Sequence, residues 1–167
     1  MRRRALLAAL ASLPGLAGCG LRPLYGPARD GATVAGELAA VRIETPKTPL
    51  GWTLADRLAR ELGVAGTAAA RYRLVVELER RRNVLAVQLD DTVTRYELTL
   101  IARFRLIELE SGHELLRSED RRVAGYGVLR QPYATLAAER DAERRAAAAL
   151  ARAIRNRLAL FFRERAA

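Results

Sequence analysis

The 167-residue chain contains one cysteine, one histidine, one methionine and one tryptophan, and aromatic residues make up only 5% of it. A single cysteine excludes an internal disulfide framework, and one histidine with no second thiol supplies too few soft ligands for a zinc cluster. His113 directly follows Ser111-Gly112 in a turn-like stretch, where it lacks the partners that acid/base or nucleophilic catalysis requires. The acidic doublets Asp90-Asp91 and Glu119-Asp120 are no better placed, because adjacent strand residues point to opposite faces and doublets in turns are solvated. A glycine motif that would cradle phosphate is also missing. These absences point away from an enzyme and from any metal or cofactor. A periplasmic hydrolase would need His113 to act nearly alone.

Acidic residues are in short supply as well: 29 basic side chains face 19 acidic ones, for a formal charge of +10 and a sequence pI near 11.0. Such a field concentrates polyanions, and the compartment decides which. Arg2, Arg3 and Arg4 precede an uncharged apolar stretch from Ala5 to Leu13, too short to cross a bilayer but typical of a secretory leader. Residues 1–18 therefore read as a signal peptide. Leu16-Ala17-Gly18-Cys19 resembles the bacterial lipobox, which gives the lone thiol a purpose as a lipid attachment point and the first residue of the mature chain. Palmitate-class acyl chains at Cys19 would make an effectively permanent anchor, since each buried methylene contributes about 0.8 kcal/mol. Gly20, where an aspartate would favour inner-membrane retention, favours the outer membrane. Removing three leader arginines leaves 26 basic against 19 acidic residues, or +7. For an exported, anchored protein the partners become lipopolysaccharide, acidic phospholipid or a negative protein surface, with no nucleic acid.

Half of the residues are hydrophobic, enough for one domain with a sizeable core. Residues 19–37, punctuated by Gly20, Gly26, Gly31, Pro23 and Pro27, read as a lipidated linker, and 38–167 as the folded domain. "LAAVRIETP" at 38–46 has the content of a short strand ended by Pro46. Leu50, Leu54, Leu58 and Leu62 recur every four residues before Gly63, which predicts an amphipathic helix. From Arg71 the period becomes two, with Tyr72, Leu74, Val76 and Leu78 on one side. "VLAVQL" at 84–89 either prolongs that strand or opens a neighbour, and "DDT" at 90–92 supplies a turn. Tyr96, Leu98, Leu100, Ala102, Phe104 and Leu106 alternate with polar residues in the clearest strand. Ser111-Gly112 turns the chain, and 113–128 reads as the returning strand. A long helix, capped by Thr135, carries Leu136, Ala142, Ala146, Leu150, Ile154, Leu158 and Phe161 along one side. The fold class is α+β: two helices packed on one face of a mainly antiparallel four-stranded sheet.

Arginines are the conspicuous charges. Arg80, Arg81 and Arg82 end a strand, Arg103 and Arg105 lie on its neighbour's polar face, and Arg121 and Arg122 fall on the returning strand. Because a guanidinium grips phosphate through paired hydrogen bonds, the group is a candidate lipopolysaccharide site, set against the plainer reading of a solvated face.

"CGLRPLYG" at 19–26, the order of elements, and "QPYATLAAERDAERRAAAALARAIRNRLALFF" at 131–162 together resemble the alphaproteobacterial branch of the LptE family of lipopolysaccharide-assembly lipoproteins. The resemblance implies an outer-membrane lipoprotein on the periplasmic side, plugged into the large LptD β-barrel, which it helps assemble and with which it delivers lipopolysaccharide to the outer leaflet. It carries over Cys19 as the lipidated residue and makes Pro23, Leu24 and Tyr25 candidates for docking on the barrel or the domain. The alternative is an independent envelope lipoprotein that binds lipopolysaccharide or acidic phospholipid without a barrel partner.

Overall fold

A computed structural model describes residues 33–64, 69–87 and 93–166. Cys19, the docking candidates Pro23, Leu24 and Tyr25, and the Asp90-Asp91 turn lie outside the described residues. Seven elements follow in order: α1 (Val34–Ala39), β1 (Val41–Glu44), α2 (Pro49–Leu62), β2 (Tyr72–Val87), β3 (Val93–Glu108), β4 (Glu114–Gly127) and α3 (Pro132–Arg165).

Local chemistry starts and stops these elements. Thr33 caps α1 by accepting the Gly36 N–H at 3.1 Å, and Thr48 caps α2 by accepting the Gly51 N–H at 3.1 Å. Pro49 occupies the first turn of α2, and Gly63 closes it in the left-handed conformation at φ 70°. Helix α1 lies across residues 34–39, so its first turn falls inside the stretch whose composition reads as a linker, and the first strand is confined to Val41–Glu44. Helix α3 begins at Pro132, three residues before the expected Thr135 cap, because proline presets helical φ at a position whose N–H has no partner to lose. The Thr135 hydroxyl instead accepts the Leu129 N–H at 2.9 Å and donates to the Leu129 carbonyl at 3.2 Å, pinning the β4–α3 connection.

The strands form one sheet in the order β1-β2-β3-β4. Strand β1 runs parallel to β2, with Val41 opposite Tyr72, since the intervening α2 provides the crossover that a parallel pair needs. The remaining pairs are antiparallel. Residues 84–87 prolong β2 rather than open a new strand, with an irregular register between Val84 and Val87.

All three helices cover the same sheet face. Leu54, Leu58 and Leu62 of α2 and Leu150, Ile154 and Leu158 of α3 meet Leu74, Leu98, Leu100 and Phe104 in one core. Buried Ala142, Ala146, Ala147 and Ala151 let α3 approach closely. Near its end, α3 buries Phe162, with Phe161 half-buried, and at its start Leu136 is exposed. Among the described residues no helix lies on the opposite sheet face, and this leaves a broad polar surface along β2, β3 and β4.

Candidate polyanion-binding face

Strand parity divides the seven candidate arginines. Arg81, Arg103, Arg105 and Arg121 project from the bare face, whereas Arg80, Arg82 and Arg122 share the helix-covered side with the core positions of their strands. The run Arg80-Arg81-Arg82 is therefore no single patch. Arg80 pairs with Glu143 of α3 and lies 3.6 Å from Glu139, while Arg82 lies 3.8 Å from Glu139 and stacks over Tyr96 at 5.0 Å. Arg122 pairs with Asp120 on its own strand at 2.6 Å. These three guanidiniums are engaged within the protein's own layers.

The bare face is a ladder of alternating charge. Arg103 meets Glu119 at 2.7 Å and Glu79 at 3.5 Å, and Arg81 meets Glu79 at 2.6 Å. Arg105 lies 3.8 Å from Glu77 and 3.9 Å from Glu114, and Arg117 holds Glu114 through two hydrogen bonds of 2.8 and 2.9 Å. Such bidentate guanidinium–carboxylate pairs are the geometry that also binds phosphate. The carboxyls of Glu79 and Glu114 are held below the ordinary carboxylate range, chiefly by the hydrogen bonds from Arg81 and Arg117. Arg121, opposite Ile101, makes no ion pair among the described residues. A shallow groove of about 460 Å³ opens on this face, lined by Glu77, Arg103, Arg105, Arg117, Ser118 and Glu119.

Thr99 and Ile101 are buried on the same face although no helix covers it. Their cross-strand partners are Arg81 and Val123 for Thr99, and Glu79 and Arg121 for Ile101, so side chains of β2 and β4 flank both on the central strand. Arg73, Arg95 and Arg117 belong to this face too. All three follow from strand parity, Arg117 sharing that of Arg121 two residues apart from Glu119.

His113 is exposed in the β3–β4 turn, where its backbone N–H donates to Ser111 Oγ at 3.3 Å. Ser111 and Arg165 hydrogen-bond the Glu108 carboxylate and hold it low. Among the described residues no cluster of histidine, cysteine, aspartate and glutamate could hold a metal ion, and no helix is long and apolar enough to cross a membrane.

A solved structure of a putative lipoprotein from Caulobacter crescentus superimposes with a TM-score of 0.69 at 28% identity, over 79% of this chain and 96% of that one. A minor lipoprotein from Acinetobacter baumannii shares the fold, with a TM-score of 0.58 at 21% identity over 72% of this chain and 90% of its own. An uncharacterized protein of Rickettsia prowazekii is 29% identical over 126 residues, which span 75% of this chain and 79% of the relative. The model of the LptE family, described as lipopolysaccharide-assembly, matches residues 37–158 and so takes in the sheet and most of α3. The chain belongs to the LptE family of lipopolysaccharide-assembly proteins.

Proposed function

We propose that the chain is a non-enzymatic outer-membrane lipoprotein, cleaved after Gly18 and acylated at Cys19, that plugs the LptD β-barrel from the periplasmic side. In that position it helps the barrel assemble and assists delivery of lipopolysaccharide to the outer leaflet. The observation that carries the reading is the LptE family match over residues 37–158. The bare sheet face supports it: a plug must present polar surface to a hydrated barrel lumen, and the ladder of Glu77, Arg103, Glu119 and their neighbours is such a surface. The same face is the better candidate for lipopolysaccharide phosphates, through Arg103, Arg105, Arg117 and Arg121, because Arg80, Arg82 and Arg122 are turned to the helix side.

Depletion of the protein in its own cells tests the reading. Lipopolysaccharide should accumulate short of the cell surface, and wild-type protein should restore delivery while the Cys19→Ser chain restores it poorly. Unchanged surface lipopolysaccharide on depletion would reject the role. Barrel-independent lipid binding would then be the surviving alternative.

A further inference from the structure

The two ends of the domain differ in chemistry. At one end the first described residue, Thr33, leads into α1, and the Glu37 carboxylate of α1 accepts the Tyr72 hydroxyl at 2.8 Å. Tyr72 in turn packs on Phe162 at 5.0 Å, and Arg165 reaches Glu108 at 3.2 Å. The start of β2, the end of β3 and the C-terminal end of α3 therefore meet where the chain from Cys19 joins the domain. The start of α3 and the β2–β3 hairpin lie at the other end, about 50 Å away along strands of this length.

Charge on α3 is distributed unevenly along that axis. Glu139, Asp141 and Glu143 fall in its first third, whereas residues 144–163 contain six arginines and no acid. This order suits the helix dipole, but dipole compensation needs cations only in the last turn. Arg144 and Arg145 are answered by Asp141, and Arg155 lies 4.0 Å from Glu61. Arg152, Arg157 and Arg163 remain exposed, without an ion pair among the described residues. Eleven residues are close to three helical turns, so Arg152 and Arg163 line up on one flank of α3 about 16 Å apart, while Arg157, between them along the axis, lies on the opposite flank of the exposed half, about 120–140° round. Glu164 is the exposed carboxylate of this stretch. Glu37, Glu61 and Glu108 at this end are already paired, with Arg71, Arg155 and Arg165.

We propose that this face of α3 is a membrane-docking surface, in which Arg152, Arg157 and Arg163 lie on the phosphates of an anionic phospholipid bilayer. The inference rests on the reading of Cys19 as the lipid anchor, because the tether joins the domain at the same end as these cations. Guanidiniums spread along a convex helix surface fit charge distributed across a bilayer better than one compact phosphate. Each basic side chain near such a surface adds attraction that weakens with salt. Docking would set the orientation of the tethered domain before the barrel encloses it and leave the bare sheet face free.

The test uses the mature chain, residues 19–167, carrying Cys19→Ser, so that neither the basic leader nor acyl chains play a part, and phosphatidylcholine vesicles with and without phosphatidylglycerol. Sedimentation should show binding to the anionic vesicles only, weakened by added salt. R152Q/R157Q/R163Q should reduce it by about tenfold or more. The lysine triple, R152K/R157K/R163K, should bind like the parent, and R130Q/R140Q, at exposed residues around the start of α3, should too. Failure of the parent to bind anionic vesicles, or full binding by the glutamine triple, would overturn the proposal. An equal loss of binding by R130Q/R140Q would show attraction by net charge rather than by this surface and overturn it too. Mass spectrometry of the wild-type chain from membranes reports acylation at Cys19 separately, so failure of the anchor reading is distinguishable from failure of the docking surface.

Discussion

Two buried tyrosines give opposite expectations at the scale of single residues. The Tyr72 hydroxyl donates to Glu37, and burial followed by that carboxylate pushes its pKa up. The Tyr126 hydroxyl is buried near the Arg82 guanidinium without meeting hydrogen-bond geometry, and its pKa is raised mainly by burial. Tyr72→Phe should therefore cost about 1 kcal/mol in chemical denaturation, while Tyr126→Phe should be neutral or slightly stabilising. Equal losses from both would contradict the hydrogen-bond assignments. Gly51 gives a steeper case: a Cβ there would run into the Pro46 carbonyl oxygen. Gly51→Ala should lower stability by about 1–3 kcal/mol, because the obstacle is backbone that cannot swing aside. Neither effect could be read in the sequence, where Gly51 appears only as a residue following Pro49-Leu50. The separation of Arg80 from Arg81, in contrast, follows from period-two alternation continued to the end of β2. Reading the three arginines as a unit overlooked that period.

At the scale of elements, α3 ties the sheet together through a buried line and a charged flank. Leu150 is fully buried, so Leu150→Ala should destabilise by about 2–5 kcal/mol, measured by urea unfolding. Glu139 and Glu143 neutralise Arg80 and Arg82 at the edge of the helix layer. Changing both to glutamine should lower the thermal midpoint modestly and leave the core intact, since these pairs are partly exposed. The strands, α2 and α3 were legible because their apolar residues recur with clean periods of two and four. The short α1 was not: its six residues hold two buried side chains, Val34 and Leu38, too few to establish a period beside neighbouring glycines and alanines. The start of α3 was displaced for a similar reason, since Thr135 and Pro132 are both valid start signals and geometry chose the proline.

For the molecule as a whole, electrostatics link stability to pH in a defined direction. Glu79, Glu108 and Glu114 have carboxyls held below the ordinary range by Arg81, by Ser111 with Arg165, and by Arg117. A carboxyl whose pKa is depressed by folding contributes stability that is complete above its unfolded value, near about 4.3 for glutamate, and is lost as pH falls through the lower folded value. The urea midpoint should hold steady from neutral pH down to about 5 and fall below about 4, and Glu108→Gln should flatten that fall. A midpoint that rises on acidification would contradict the ion-pair ladder. Among the described residues the layered architecture leaves one sheet face without helices, and on the proposed plug role that face would be the surface offered to a barrel lumen. The end of the domain at Thr33 and the opposite end, where β2 finishes and β3 begins, would then give such a plug a direction. The most direct test of this account is affinity capture of the acylated chain from solubilised outer membranes. A large LptD-type β-barrel should be recovered in equal stoichiometry, and capture that yields no barrel protein would contradict the plug.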